Sequence, residues 1–133
     1  MGNNTPILIS VAAGELIDKI TILEIKAERI ADAEKLVHVR RELAMLKTVS
    51  DQALEPSPQL TELTGQLRSI NSELWRIEDE IRNCERNKDF GPTFIELARS
   101  VYHNNDRRFE CKRRINELVG SSLVEQKSYS QYA

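Results

Sequence analysis

The residues most suited to chemistry lie in the segment 93–119, where an apolar face with helical spacing turns polar and basic at its middle. Apolar side chains define the two ends of that face: Phe94, Ala98, Val101 and Tyr102 first, and Ile115 and Val119 last. Between them the same face carries Asn105, Arg108 and Lys112. Buried charges are costly unless they are paired. The pattern therefore indicates either ion pairs or exposure at this point, or a polar site that holds an anionic ligand.

A second polar set lies on one helical face of the segment 58–88, beside the apolar seam: Asn71, Trp75, Glu78, Arg82 and Glu85. An antiparallel hairpin that turns at residues 90–91 predicts their neighbours on the next helix: Arg99 and Tyr102 near Glu78 and Arg82, and Asp106 near Trp75. In the alternative interpretation, Glu78 and Arg82 form a surface ion pair four residues apart, which stabilises a helix only slightly.

Specific catalytic motifs are absent from the sequence, which has no Gly-rich phosphate loop, His-Glu-x-x-His motif or nucleophile elbow. His38 and His103 follow no metal-ligand pattern, so we predict no metal site and no cofactor. A magnesium site would require convergence of scattered carboxylates, those of Glu15, Asp18, Glu78 and Asp79.

Four helices must position these side chains. Apolar residues spaced 4-3-4-3 from Leu16 to Ile30 predict a first helix over 14–31. Ile22 and Ile25 widen its apolar surface, which predicts a helix covered on more than one side, either inside a bundle or at a dimer interface. The apolar pattern then restarts in a new phase, and Asp32 is suited to cap a second helix over 33–49.

The third and fourth helices are predicted to form a long antiparallel hairpin. Ser57 and Pro58 are good start signals for a helix over 58–88, which follows a loop at 50–57. Its apolar seam keeps a strict 3-4 alternation, typical of coiled-coil-like packing. A turn at 89–92 leads to the helix over 93–119, with Gly120 as its C-cap. We therefore predict an all-α, four-helix bundle.

The segments outside the helices are short. Residues 6–11 are β-prone but have no second strand to pair with, so we expect an extended arm. The tail 121–133 is polar and irregular, with Tyr129 and Tyr132 as possible anchors. Cys84 and Cys111 match no metal or redox spacing, which favours reduced thiols on helices.

Composition sets the class of protein. The 133 residues have room for one domain, 1–133, and 40% hydrophobic with 30% charged residues is the mix of a folded, soluble chain. The net charge of -2 gives no basic footprint, so no nucleic-acid partner is expected. No apolar run is long enough to cross a bilayer and the start is unlike a signal peptide. We expect a cytoplasmic protein without membrane insertion.

The chain resembles an uncharacterised bacterial family, a domain of unknown function. Four stretches carry the resemblance: GELIDKITILEIKAERI at 14–30, LWRIEDEIR at 74–82, LARSVYHNNDRR at 97–108 and EQKSY at 125–129. Members are small proteins with no assigned activity, so the resemblance implies no reaction. Its polar motif positions overlap the residues singled out above, which gives our candidate ligand-binding set: Lys19, Trp75, Glu78, Arg82, Arg99, Tyr102, Asn105, Asp106, Arg108 and Lys112.

Three functions remain open at the level of sequence, and the residues do not decide whether the protein is an enzyme. The favoured one is an oligomerising or adaptor protein, with a dimer as the preferred state and a polar, anion-binding site. The second is a small helical enzyme or binder that acts on an anionic metabolite such as a phosphorylated sugar, nucleotide or carboxylate. The third, a magnesium-dependent nucleotide pyrophosphohydrolase, ranks well behind.

Overall fold

The central element of the fold is α1, Ala13–Arg29. The structure, a computed structural model, describes residues 5–120. Within them α1 contacts all three other helices. On its second apolar stripe Ile25 is 2% exposed and Ile22 is half-buried. Other parts of the protein therefore cover this second stripe too, in addition to the first. The predicted position in the middle of a bundle is therefore confirmed.

The second helix, α2, spans Ala33–Ala53 and, of the other helices in residues 5–120, contacts α1 alone. The side chain of Asp32 caps it by accepting hydrogen bonds from the backbone N–H groups of Glu34 and Lys35, as predicted. The predicted end at residue 49 is wrong, because the helix continues to Ala53. The physical stop is Pro56, which disfavours helical conformation in the residue before it.

The third and fourth helices, α3 at Pro58–Arg86 and α4 at Pro92–Val119, form the predicted antiparallel hairpin. Ser57 caps α3 through the N–H of Leu60, and Gly120 closes α4 in a left-handed conformation with φ of 69°. The seam of α3 faces inward. Its buried members are Leu60, Leu67, Ile70, Ile77 and Cys84.

Two apolar clusters make up the core. One joins α1, α3 and α4, with Ile17, Leu67 and Ile115 among its buried members. The other lies within the hairpin nearer its turn and contains Ile77, Cys84 and Leu97. The four helices, with no strand in the described residues, make the fold all-α.

The segment before α1 has no regular secondary structure from Thr5 to Ala12, as expected for an arm. Ile7, Leu8 and Ile9 in it are exposed. The predicted tail and its two tyrosines lie outside the described residues. None of the helices described is long and apolar enough to cross a membrane.

Candidate functional site

The polar middle of α4 faces α1, where it meets a buried aspartate. Asp18 is 1% exposed, and the guanidinium of Arg108 holds both of its carboxylate oxygens, with N–O distances of 2.9 and 2.5 Å. The amide nitrogen of Asn71 on α3 donates a further hydrogen bond to Asp18 at 2.9 Å. One carboxylate therefore links three helices.

The rest of the polar cluster continues along the same contact. Asn71 also donates to the hydroxyl of Thr21, which in turn donates to the backbone carbonyl of Asp18. Lys112, whose side chain is 8% exposed, lies 2.8 Å from a carboxylate oxygen of Glu15 and 4.0 Å from one of Asp18. Each buried charge has a partner of opposite sign, which is the condition for tolerating charge in a core.

Close approach of α1 to α4 makes this contact possible. A Cβ atom at Gly14 would lie 2.5 Å from the backbone oxygen of Lys112, so only glycine fits there without a shift. The N–H of Gly14 donates to the side-chain oxygen of Asn116 at 2.7 Å. Because Ala12 at the start of α1 offers no capping side chain, α4 supplies the cap instead.

A groove of about 400 Å³ opens beside the Asp18–Arg108 pair, between α1, α3 and α4. It has an apolar part and a polar part. The apolar part consists of Ile22, Ile25, Leu74 and Val101. The polar part, with the indole of Trp75, consists of Asn71, Trp75, Glu78, Asp79, Arg82, Asn105 and Arg108. A volume of this size suits a small organic ligand.

Five of the sequence-predicted residues line this groove together: Trp75, Glu78, Arg82, Asn105 and Arg108. Lys112 joins the buried cluster behind it. The surface pair proposed for Glu78 and Arg82 is present, at 3.0 Å. Both arginines of the groove are thus bound by carboxylates, Arg82 by Glu78 and Arg108 by Asp18.

The other predicted residues do not line the groove. Lys19 is half exposed and lies 4.0 Å from Glu15. A hydrogen bond with Tyr102 raises the pKa of Arg99 above its ordinary value. The ring centroid of the exposed Tyr102 lies 4.8 Å from that of His103, with the two rings tilted by 33°. Asp106 is half-buried. From α4 the groove is lined by Val101, Asn105 and Arg108, which belong to the face that the sequence shows turning polar, and not by the neighbours counted from the hairpin turn.

The predicted ligand-binding set left out Asp18, which was considered only as a magnesium ligand, and Asn71, which was placed only on the polar face of α3. A signal for Asp18 was present, because it precedes Ile22 by four and Ile25 by seven positions on the second stripe of α1. A carboxylate in line with two isoleucines on an apolar stripe predicts a buried charge that needs a partner. Asn71 carries a weaker signal: it lies four positions before Trp75 on the same polar face, but the sequence does not show that it contacts α1.

The predicted alternative of a magnesium site has no support in the geometry. Glu15 and Asp18 bind Lys112 and Arg108, and residues 5–120 contain no group of three or more His, Cys, Asp or Glu side chains that could hold a metal ion. The thiols of Cys84 and Cys111 are both buried and unpaired. Burial raises the pKa of Cys111, which keeps that thiol protonated and unreactive.

These features define a class of small helical proteins in which a three-helix contact, held by a buried ion pair, forms one wall of a ligand-sized groove. The chain belongs to DUF6165, a family of unknown function, whose family model matches residues 7–132. The resemblance to an uncharacterised family is thereby confirmed. No curated protein and no solved structure matches the chain.

Proposed function

We propose that the protein is a ligand-binding module whose groove between α1, α3 and α4 takes a small organic molecule. The observation that carries the proposal is the joint position of Trp75, Asn105 and Arg108 in one concave, partly apolar space. Pockets that combine an apolar wall with a few convergent polar groups are the usual form of small-molecule sites.

The buried ion pair supports the same proposal. A core of apolar side chains would be at least as stable as one that contains Asp18 and Arg108, so stability alone gives little reason for this pair. What the pair does achieve is orientation, because two hydrogen bonds fix the plane of the Arg108 guanidinium at the groove. Binding sites depend on such support from the residues behind them.

Binding is the function that the side chains lining the groove support directly. The polar groups of the groove are amides, carboxylates, guanidiniums and an indole, which recognise a ligand by hydrogen bonds and stacking.

A mixed library of small amines, acids and neutral molecules, screened by ¹H–¹⁵N NMR on the full chain, tests this proposal. Trp75 is the single tryptophan, so its indole N–H gives one assigned signal inside the groove. We expect hits to shift that signal and the amide of Asn105. Trp75→Ala should abolish these hits, whereas Ile95→Ala, at an exposed apolar position of the hairpin, should keep them. Silence across the library, or shifts confined to the separate cavity lined by Gln66, Arg107 and Arg114, would overturn the proposal.

A second candidate function, self-association as an oligomerising or adaptor protein, is favoured by α2. This helix has no buried residue, and Val37, Met45 and Val49 are about half exposed. Exposed apolar side chains along one helix are typical of an interface. Light scattering should then give a dimer that Met45→Glu converts to monomer, while Glu42→Gln leaves it intact. A monomer at all concentrations would contradict this candidate.

Location in the bacterial cytoplasm completes the proposal. The resemblance to bacterial proteins supports the origin, and two unpaired cysteines support a reducing compartment. Fractionation of the source cells, followed by detection with an antibody against the full chain, tests the location in the cytoplasm.

A further inference from the structure

We infer that the ligand of this groove is an organic cation, a protonated amine on an apolar body, held by Trp75 and Asp79. The inference rests on the proposed function, since it names the ligand class of the same groove. It replaces the anion expected from the basic residues of α4.

The positive charges of the groove are already neutralised within the protein. Arg82 donates two hydrogen bonds to one carboxylate oxygen of Glu78, at 3.2 and 3.0 Å. Arg108 is held by both oxygens of Asp18, and Lys112 behind it by Glu15. An incoming anion would have to share a guanidinium with a carboxylate that is already bound, and would be repelled by that carboxylate.

The carboxylate of Asp79 is the charge that remains. Asp79 lines the groove and is exposed, and it makes no ion pair within the described residues. It lies one helical turn after Trp75, so the two side chains share a face of α3. An aromatic face next to a carboxylate is the arrangement that attracts an ammonium group, through the ring quadrupole and through charge.

The remaining lining residues fit the rest of such a ligand. The side chains of Ile22, Ile25 and Val101 offer an apolar surface for its body. Asn105, which is half-buried and makes no hydrogen bond to described residues through its side chain, can pair with one neutral polar group. Within residues 5–120, the groove therefore combines one uncompensated negative charge with an apolar wall.

Three probes of the same shape test the inference: cyclohexylmethylamine, cyclohexylmethanol and cyclohexanecarboxylate. Each is titrated into the full chain while the fluorescence of the single tryptophan is followed. We expect the amine to bind about tenfold more tightly than the carboxylate, and to weaken as salt is added. Asp79→Asn should lower the affinity for the amine about threefold to fivefold, the scale of an exposed ion pair.

Glu62→Gln is the matched control, because Glu62 is an exposed carboxylate on the same helix that makes no ion pair with described residues. It should leave the affinity unchanged. Equal or tighter binding of the alcohol or the carboxylate overturns the cation inference while the groove stands as a binding site. Failure of all three probes also overturns the inference. The proposed function falls only if the NMR library, too, gives no shifts or gives shifts confined to the separate cavity.

Discussion

At the scale of the residue, Asp18 is the most constrained side chain of the candidate site. Both oxygens accept hydrogen bonds, from Arg108 and Asn71, and Lys112 lies 4.0 Å away. A carboxylate so enclosed has no access to water that could replace a lost partner. Its charge is therefore balanced by protein groups alone, and the balance fails if any one of them changes.

Asp18→Asn should destabilise the protein by about 3 kcal/mol, toward the lower end of what breaking a buried pair costs. The amide keeps the shape of the side chain but removes the negative charge, leaving Lys112 buried beside a single carboxylate. The loss stays near the lower end because the side chain of Arg108 is 30% exposed and can regain some hydration. Urea unfolding of the two proteins measures the change.

Glu73→Gln on the surface of α3 is the control for charge alone. A hydrogen bond from Arg76 holds the pKa of Glu73 below its ordinary value, but both groups are largely solvated, so the stability change should be far smaller. The double variant Asp18→Leu, Arg108→Leu should be less destabilised than Asp18→Asn, because it leaves no unpaired charge from either of these two residues. Equal losses at Asp18 and Glu73 would mean that the buried cluster does not act as described.

At the scale of the element, the contact between α1 and α4 depends on one glycine. Gly14→Ala places a methyl group against the backbone of Lys112, and backbone cannot move aside as a flexible side chain can. Forcing the helices apart should cost about 1–3 kcal/mol, as for other overpacked cores. It should also weaken the hydrogen bond that Asn116 accepts from the N–H of Gly14.

Gly65→Ala, the same substitution at a different glycine, should have the opposite effect on the stability of the protein. A Cβ atom there meets nothing within 4 Å, and alanine favours the helix interior by about 0.5–1 kcal/mol over glycine. Chemical denaturation of both variants should thus move the midpoint in opposite directions. Stabilisation by Gly14→Ala would show that the two helices are not as close as the geometry requires.

The elements were largely predictable because their signals are local. The capping residues Asp32, Ser57 and Gly120 each act within a few positions of the helix that they delimit. The pairing of Asp18 with Arg108 spans 90 positions of sequence and depends on how α1 crosses the hairpin. Periodicity could show that α4 turns polar at Arg108, but not that a carboxylate on α1 already neutralises it.

Trp75 and Glu78 were found for a different reason. They lie beside an apolar seam whose period fixes which flank faces the next helix, so the sequence alone could group them on one surface. Asn105 was found together with Arg108, because both interrupt the apolar face of α4. Counting outward from the hairpin turn at residues 90–91 could not show which helical turn of α4 lies opposite Trp75 and Glu78. The structure brings Asn105 and Arg108 to the groove and places Arg99 and Tyr102 outside it.

At the scale of the whole molecule, the four helices are unequal partners. The α1 helix and the hairpin of α3 and α4 share the apolar core and the buried ion pairs. Among the described helices α2 contacts α1 alone, and even its best-covered side chains, such as Leu36, Leu43 and Leu46, are only half-buried. Local stability follows the density of buried contacts. The part formed by α1, α3 and α4 should therefore be locally stable, and α2 should be the least stable helix.

Native-state hydrogen exchange should therefore show α2 opening at a lower free energy than the hairpin. We expect amides of α2 to exchange through a local unfolding step that depends weakly on denaturant, and amides near Leu67 and Ile77 to exchange only through global unfolding. Leu43→Ala should lower protection in α2 and leave protection at Ile77 almost unchanged. If α2 is instead an interface between two copies, its protection will rise with protein concentration. Protection of α2 equal to that of the hairpin at every concentration would contradict both descriptions, because a helix without a buried residue would then be as firmly held as the core.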